Sequence, residues 1–350
     1  MRHSDLIPQP ETRNGTQNPK PQNQQLLNSY LHNKNMRRFL TPSDIGDLNQ
    51  ALKEAAEVKK NPYAHQHLGK NKTAVLIFFN SSLRTRLSTQ KAATNLGMNV
   101  IVLDINKDGW QLETETGVIM DGDKPEHIRE AVPVIGQYCD IIGVRSFARF
   151  ENKEEDYSEK ILNQFIELSG RPVISMESAT RHPLQAFADL VTIEEHRSDK
   201  RPKVVLTWAP HPKALPQAVP NSFVEWMKVA DVDLTVTHPK GYELAPEFME
   251  GVHVEYDQKK AFEGADFIYA KSWASFSEYG KVLSTDRSWT VDEEKMALTN
   301  KAKFMHCLPV RRNMVVTDGV IESPDSIVVQ EAANRVVSAQ TVLKRMLESM

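Results

Sequence analysis

Short apolar runs separated by helix-forming stretches recur along most of this chain, and that alternation limits what it can fold into. A run of five or six apolar residues is too short for a lone helix and suits a strand buried on both faces. Such runs predict strands at 73–79, 99–104, 140–145 and 172–176, with helices at 83–96, 125–138 and 155–168 between them. Repeated strand–helix units imply a parallel sheet covered by helices on both faces. Residues 183–196 open with Pro183 at the first helical position, so a helix there is placed to bridge two domains. A second series of strands follows at 203–207, 232–237, 252–255, 266–270 and 303–306. The last helix, 329–348, carries Val336, Val337, Ala339, Val342, Leu343, Met346 and Leu347 as one stripe at helical spacing. The expected architecture is therefore α/β: two domains, each a parallel sheet flanked by helices, meeting at a cleft.

A length of 350 residues agrees with two domains. A net charge of −3 argues against nucleic acid or an anionic membrane as the main partner. Only Cys139 and Cys307 occur, which predicts no disulfide framework and a reducing cytoplasm. No apolar run approaches the length of a membrane span. Residues 1–35 are rich in Asn, Gln and Pro and read as a disordered tail or as sequence ahead of a misassigned start, with Met36 opening the ordered part. Beyond it, Thr41 or Ser43 is placed to cap a helix.

The stretch AVLIFFNSSLRTRLSTQKAATNLG, 74–97, runs from strand to helix start and ends on Gly97, a helix-stop residue. Unpaired backbone N–H groups and the positive end of the helix dipole meet there. Arg84 and Arg86 in the first turn oppose that dipole, so local stability does not account for them, whereas a bound anion does. An ordinary capped helix with surface arginines is the competing explanation. Other strand ends carry similar groups: Arg145; Glu177 followed by His182 and Gln185; Lys271; and His306, Cys307 and Leu308 followed by Arg311. Ligands of open parallel sheets bind beyond these ends. Glu331 and Arg335, four apart on a helix, read by default as a solvated ion pair. The proline-rich connection APHPKALPQAVP, 209–220, is expected to be neither helix nor central strand, and a loop of that length usually binds or covers a ligand. The segment 106–127 is also long and polar, with Trp110 isolated in it; such a residue more often packs locally than binds a ligand. No Walker-type phosphate loop, GxGxxG or GxSxG is present, and no histidine pair has metal-ligand partners, so no metal or cofactor is expected.

SSLRTR, HPLQ and HCLP, at 81–86, 182–185 and 306–309, occur in the order found in the aspartate/ornithine carbamoyltransferase superfamily, which residues 39–350 resemble. The usual STRTR motif has Leu83 at its third position here. The SMG loop of true ornithine carbamoyltransferases is absent, since SWASFSEYG follows Lys271. FFNSSLRTR, MDGDKPEH, WAPHPKALPQAVPNS and AKSW look instead like the N-acylornithine branch. The resemblance implies a carbamoyl-phosphate domain at 36–182, an acylornithine domain at 183–328, and a helix at 329–350 returning to the first domain. It also implies a knot through the proline-rich segment and a homotrimer. Ser82, Leu83, Arg84 and Thr85 would cradle the phosphate. Arg145 would bridge phosphate and carbonyl oxygen, His182 would donate to that oxygen, and Gln185 with the Cys307 and Leu308 carbonyls would hold the NH2 group. Arg335 falls on a ligand position, and Trp110 would enter the neighbouring subunit's site. Glu177 and Lys271 match positions that contact the amino-acid substrate, and His211 is expected to bind the acylornithine with them.

Pro125 and Val315 stand where acetylornithine relatives look to have Glu and Lys. Pro125 would remove a charge that repels a succinyl carboxylate, leaving Lys213 and Arg311 to pair with it. Pro125 also reads as an ordinary first-turn proline of helix 125–138. The implied reaction is carbamoyl transfer to the δ-amine of N-succinylornithine, with N-acetylornithine as the alternative acceptor. A non-catalytic anion-binding scaffold and an α/β kinase are rival classes. The first would be expected to lose one of Arg84, Arg145, His182 or Gln185, and the second lacks its phosphate loop.

Overall fold

The computed structural model describes residues 36–105, 107–198 and 201–350. The expected tail at 1–35 lies outside the described residues. The first half of the chain forms β1 (Arg38–Phe39), β2 (Thr73–Phe78), β3 (Asn99–Asp104), β4 (Leu112–Glu113), β5 (Glu126–His127), β6 (Ile141–Arg145) and β7 (Val173–Glu177). Five of these make a parallel sheet in the order β1-β7-β6-β2-β3, while β4 and β5 pair separately. The second half contributes β8 (Lys203–Trp208), β9 (Asp233–Thr237), β10 (His253–Glu255), β11 (Phe267–Lys271) and β12 (Lys303–Met305). These form another parallel sheet, ordered β10-β9-β8-β11-β12.

Alternate residues of the central strands enter different cores, as the two-residue period of a strand requires. In β2, Ala74, Leu76 and Phe78 join the largest apolar cluster, and Val75 and Ile77 face another. In β11, Phe267 and Tyr269 join that same large cluster, with Ile268 and Ala270 behind them. The large cluster thus continues from one sheet to the other, through the buried helix Pro183–His196 and the C-terminal helix Val328–Glu348. Residues on both faces of each sheet's central strands are buried.

Four local expectations need correction. The helix expected at 125–138 starts at Ile128, where the His127 side chain accepts from the Arg129 amide, so Pro125 is not its first residue. The helix expected at 155–168 is two, Lys153–Tyr157 and Lys160–Leu168, broken at Glu159 with φ +52°. The proline-rich loop ends early: a helix spans Ala218–Val229 and takes Pro220 in its first turn, where a missing N–H breaks no helical bond. Thr41 heads only the short 3-10 turn Pro42–Ile45, and the helix beyond it, Leu48–Lys60, is capped by Asp47.

Candidate active site

In the first sheet the chain runs from β2 to β3 on one side and resumes at β6 on the other; in the second, β8 and β11 flank the equivalent reversal. Parallel sheets bind ligands at such reversals, beyond the carboxyl ends of the strands. The chain leaving β2 supplies Ser82, Leu83, Arg84 and Thr85, and β6 ends on Arg145. The chain leaving β8 supplies His211, and β11 ends on Lys271. Glu177, His182, Gln185, Cys307, Leu308 and Arg335 line the same cavity of about 520 Å³.

The basic groups are held rather than loose. Arg145 Nη1 donates to the carbonyl oxygens of Asn80 and Ser81 at 2.7 and 2.9 Å, and Nη2 donates to Glu177 Oε2 at 3.1 Å. Its guanidinium stacks on Phe147, 4.0 Å from the ring centre. Arg335 Nη1 donates to Gln185 Oε1 at 2.5 Å and Nη2 to Thr85 Oγ1 at 2.6 Å, tying the C-terminal helix to both motifs. Glu331 and Arg335 are therefore no solvated ion pair: both are buried and have other partners. His182 precedes the bridging helix without capping it by its side chain. Its backbone N–H donates to Ser222 Oγ at 2.8 Å, and its Nε2 lies 3.4 Å from Glu177 Oε2.

Burial, with Arg335 and Arg145 close by, drives the His182 imidazole well below its ordinary range, so it is neutral and has one N–H to give. Burial raises the Glu177 carboxyl against the pull of Arg145, Arg335 and Lys271. It pushes the Cys307 thiol up to about 11, against the pull of Lys271, which argues against a thiolate nucleophile. Arg84 Nε, Arg145 Nε and His182 Nδ1 are buried and have no hydrogen-bond partner among the described residues. Buried polar atoms ordinarily have partners. Two arginine donors and an imidazole left unpaired beside one cavity suit a compact ligand with several acceptor oxygens.

Four expected residues lie off this lining. Lys213 and Arg311 are exposed and flank His211: Arg311 Nε donates to His211 Nε2 at 3.0 Å, and His211 Nδ1 donates to the Lys213 carbonyl at 2.9 Å. Trp110 and Pro125 lie on the segment carrying β4 and β5, away from this chain's own cavity. Trp110 is 57% exposed and its Nε1 donates to Glu126 Oε2 at 2.7 Å, which ties the two ends of that segment together. The sequence reading missed Phe147, whose only signal is its place two residues after Arg145, and Ser222, which nothing in the sequence marks. Among the described residues no group of three or more His, Cys, Asp and Glu side chains is arranged to hold a metal ion. No helix among them is long and apolar enough to cross a membrane.

Two parallel α/β halves with basic groups lining a cavity at their strand ends define a two-domain α/β ligand-binding protein, and two family models narrow this further: the chain belongs to the aspartate/ornithine carbamoyltransferase family. The carbamoyl-P binding domain of that family matches residues 37–195, and its Asp/Orn binding domain matches residues 216–346. Within the family, the N-succinylornithine carbamoyltransferase of Bacteroides fragilis is 68% identical over 317 residues, covering 90% of this chain and 100% of that protein. The N-acetylornithine carbamoyltransferase of Xanthomonas axonopodis pv. citri is 38% identical, covering 86% of this chain and 93% of its own. A crystal structure of an N-acetyl-L-ornithine transcarbamylase point mutant, complexed with carbamyl phosphate and N-succinyl-L-norvaline, superposes with a TM-score of 0.83 at 36% identity. It covers 88% of this chain and 98% of that one.

Proposed function

We propose that this protein transfers the carbamoyl group of carbamoyl phosphate to the δ-amine of N-succinyl-L-ornithine, giving N-succinyl-L-citrulline and phosphate in arginine biosynthesis. The observation that carries this reading is the 68% identity over the whole length of an N-succinylornithine carbamoyltransferase. The cavity chemistry agrees with it. The first-turn amides after Ser82, the Thr85 hydroxyl and the Arg84 guanidinium take the phosphate, and Arg145 spans phosphate and carbonyl oxygen. Neutral His182 donates to the carbonyl oxygen, which becomes negative as the amine adds. Gln185 Oε1 and the Cys307 and Leu308 carbonyls accept from the carbamoyl NH2. The new bond joins the δ-nitrogen to the carbonyl carbon, the carbon–oxygen bond to phosphate breaks, and the amine's proton leaves with phosphate. Donors aimed at a developing oxyanion are worth roughly 3–4 kcal/mol each when removed.

On the acceptor side, Glu177 and Lys271 take the amino-acid part. The rim group of His211, Lys213 and Arg311 takes the second carboxylate of the succinyl arm. The active assembly is a homotrimer, knotted in its second domain, in the cytoplasm. The segment bearing Trp110 and Pro125 enters the neighbouring subunit's cavity; its exposed apolar run Val118, Ile119 and Met120 supports an intersubunit location. The test is citrulline-derivative formation from carbamoyl phosphate with ornithine, N-acetylornithine and N-succinylornithine assayed in parallel. Product is expected from the succinyl compound at the highest kcat/KM. Equal or greater turnover of either other amine would refute the assignment.

A further inference from the structure

Two carboxyls lie behind Gln185, and no role assigned so far uses them. Asp189, one turn further along the bridging helix, and Glu331, on the C-terminal helix, are both fully buried. They interact directly with each other, and the Tyr269 hydroxyl, Arg335 and the Cys307 thiol are the other titratable groups facing them. Gln185 Nε2 donates to Asp189 Oδ1 at 2.7 Å and lies 3.4 Å from Glu331 Oε1. Glu331 Oε2 accepts the backbone N–H of His306 at 2.8 Å.

We propose that the Asp189–Glu331 pair is a positioning device that aims the acceptors for the carbamoyl NH2, Gln185 Oε1 and the Cys307–Leu308 turn, at the cavity. This rests on the carbamoyl-transfer reading above. A carboxylate accepts and does not donate, so the amide nitrogen of Gln185 must face the pair and its oxygen must face Arg335 and the ligand. Turned the other way, the oxygen would meet two acids and the Arg335 guanidinium would meet an NH2 group. The same pair fixes the chain after β12 through the His306 amide, so one buried unit sets both halves of the NH2 pocket.

Two carboxyls this deeply buried cannot both ionise; one proton stays between them. Burial, compounded by the neighbouring acid, holds the Glu331 carboxyl well above the ordinary range, and burial raises Asp189 to about 7. Asp189 Oδ2 has no N–H partner; the Tyr269 hydroxyl and the neighbouring Glu331 carboxyl are the groups that face Asp189. This sharpens the test. Asp189→Asn keeps an oxygen for Gln185 Nε2 and replaces the shared proton by an N–H aimed at Glu331, so it should preserve the device. Asp189→Leu keeps the branching of the side chain, adds bulk and removes the acceptor.

The readout is calorimetric binding of two phosphonates, phosphonoacetamide, which carries the NH2 group, and acetonylphosphonate, which has a methyl in its place. The wild-type protein should prefer the amide, and Asp189→Asn should keep that preference within about threefold. Asp189→Leu should lower it about tenfold or more while binding the methyl compound as before; Asp189→Ala serves if the Leu variant does not fold. Equal weakening of both ligands in the apolar variant, or a preference left intact, would overturn the proposal, as would an Asn variant as impaired as Leu. A wild-type protein that binds neither phosphonate would instead count against the carbamoyl-transfer reading itself.

Discussion

His182 illustrates how burial decides what a side chain can do. An imidazole near its ordinary pKa would change charge across the assay range. Here burial and two neighbouring arginines keep it neutral, so it acts as a fixed N–H donor. With the imidazole neutral throughout the neutral range, His182 adds no step of its own to the pH profile, and the incoming amine, with an intrinsic pKa of ~10, must lose a proton before it reacts. His182→Asn should lower kcat roughly 10²–10³-fold without moving that profile. A shifted midpoint in the variant would show that His182 titrates in the working range. Pro125 makes the complementary case, where a charge is absent. Pro125 is exposed on this chain, but if it enters the neighbouring subunit's cavity as proposed, Pro125→Glu should lower kcat/KM for succinylornithine at least about tenfold and raise it for acetylornithine, since an unpaired like charge in an enclosed site is costly. An unchanged ratio between the two amines would refute the charge argument.

At the scale of the element, the central strands were legible because each is a compact apolar run, and the first-turn arginines after β2 stood out because they oppose the helix dipole. Other features left weaker traces. The helix Leu48–Lys60 buries only Ala51, Ala55 and Val58, small residues that leave a faint stripe. The break at Glu159 has no glycine to mark it; it is held by Ser178, Thr180 and the Ala179 amide, which donate to the Glu159 carboxylate from a distant loop. Glu331 and Arg335 had the spacing of a surface pair, and spacing alone does not reveal burial. Gly97 was readable and is testable. Its φ of +82° closes the helix Arg84–Asn95, and a Cβ there would lie 2.3 Å from the Gln66 carbonyl oxygen. Gly97→Ala should therefore cost about 1–3 kcal/mol in urea unfolding, with kcat of the folded fraction unchanged. A wild-type unfolding midpoint would contradict this.

At the scale of the whole molecule, the cavity draws on both sheets and on the C-terminal helix, so no single half of the chain carries a complete site. Each motif taken alone has an ordinary structural explanation; only the family resemblance joined them into one site in the sequence, because their residues lie far apart along the chain. In the proposed homotrimer, Trp110 and Pro125 would extend the dependence to a second chain. Trp110→Ala and His182→Asn should each be nearly inactive alone, and co-expression should restore a measurable fraction of activity, because some mixed sites combine an intact His182 with a neighbour's intact Trp110. No recovery, or full activity in Trp110→Ala alone, would place Trp110 outside the site. The central claim, that Arg84 and Arg145 converge on one small dianion, is tested most directly by calorimetric titration of the protein with phosphonoacetamide. One site per chain is expected, with affinity falling at least about a hundredfold in Arg84→Ala and in Arg145→Ala. Binding undiminished in either variant would contradict it.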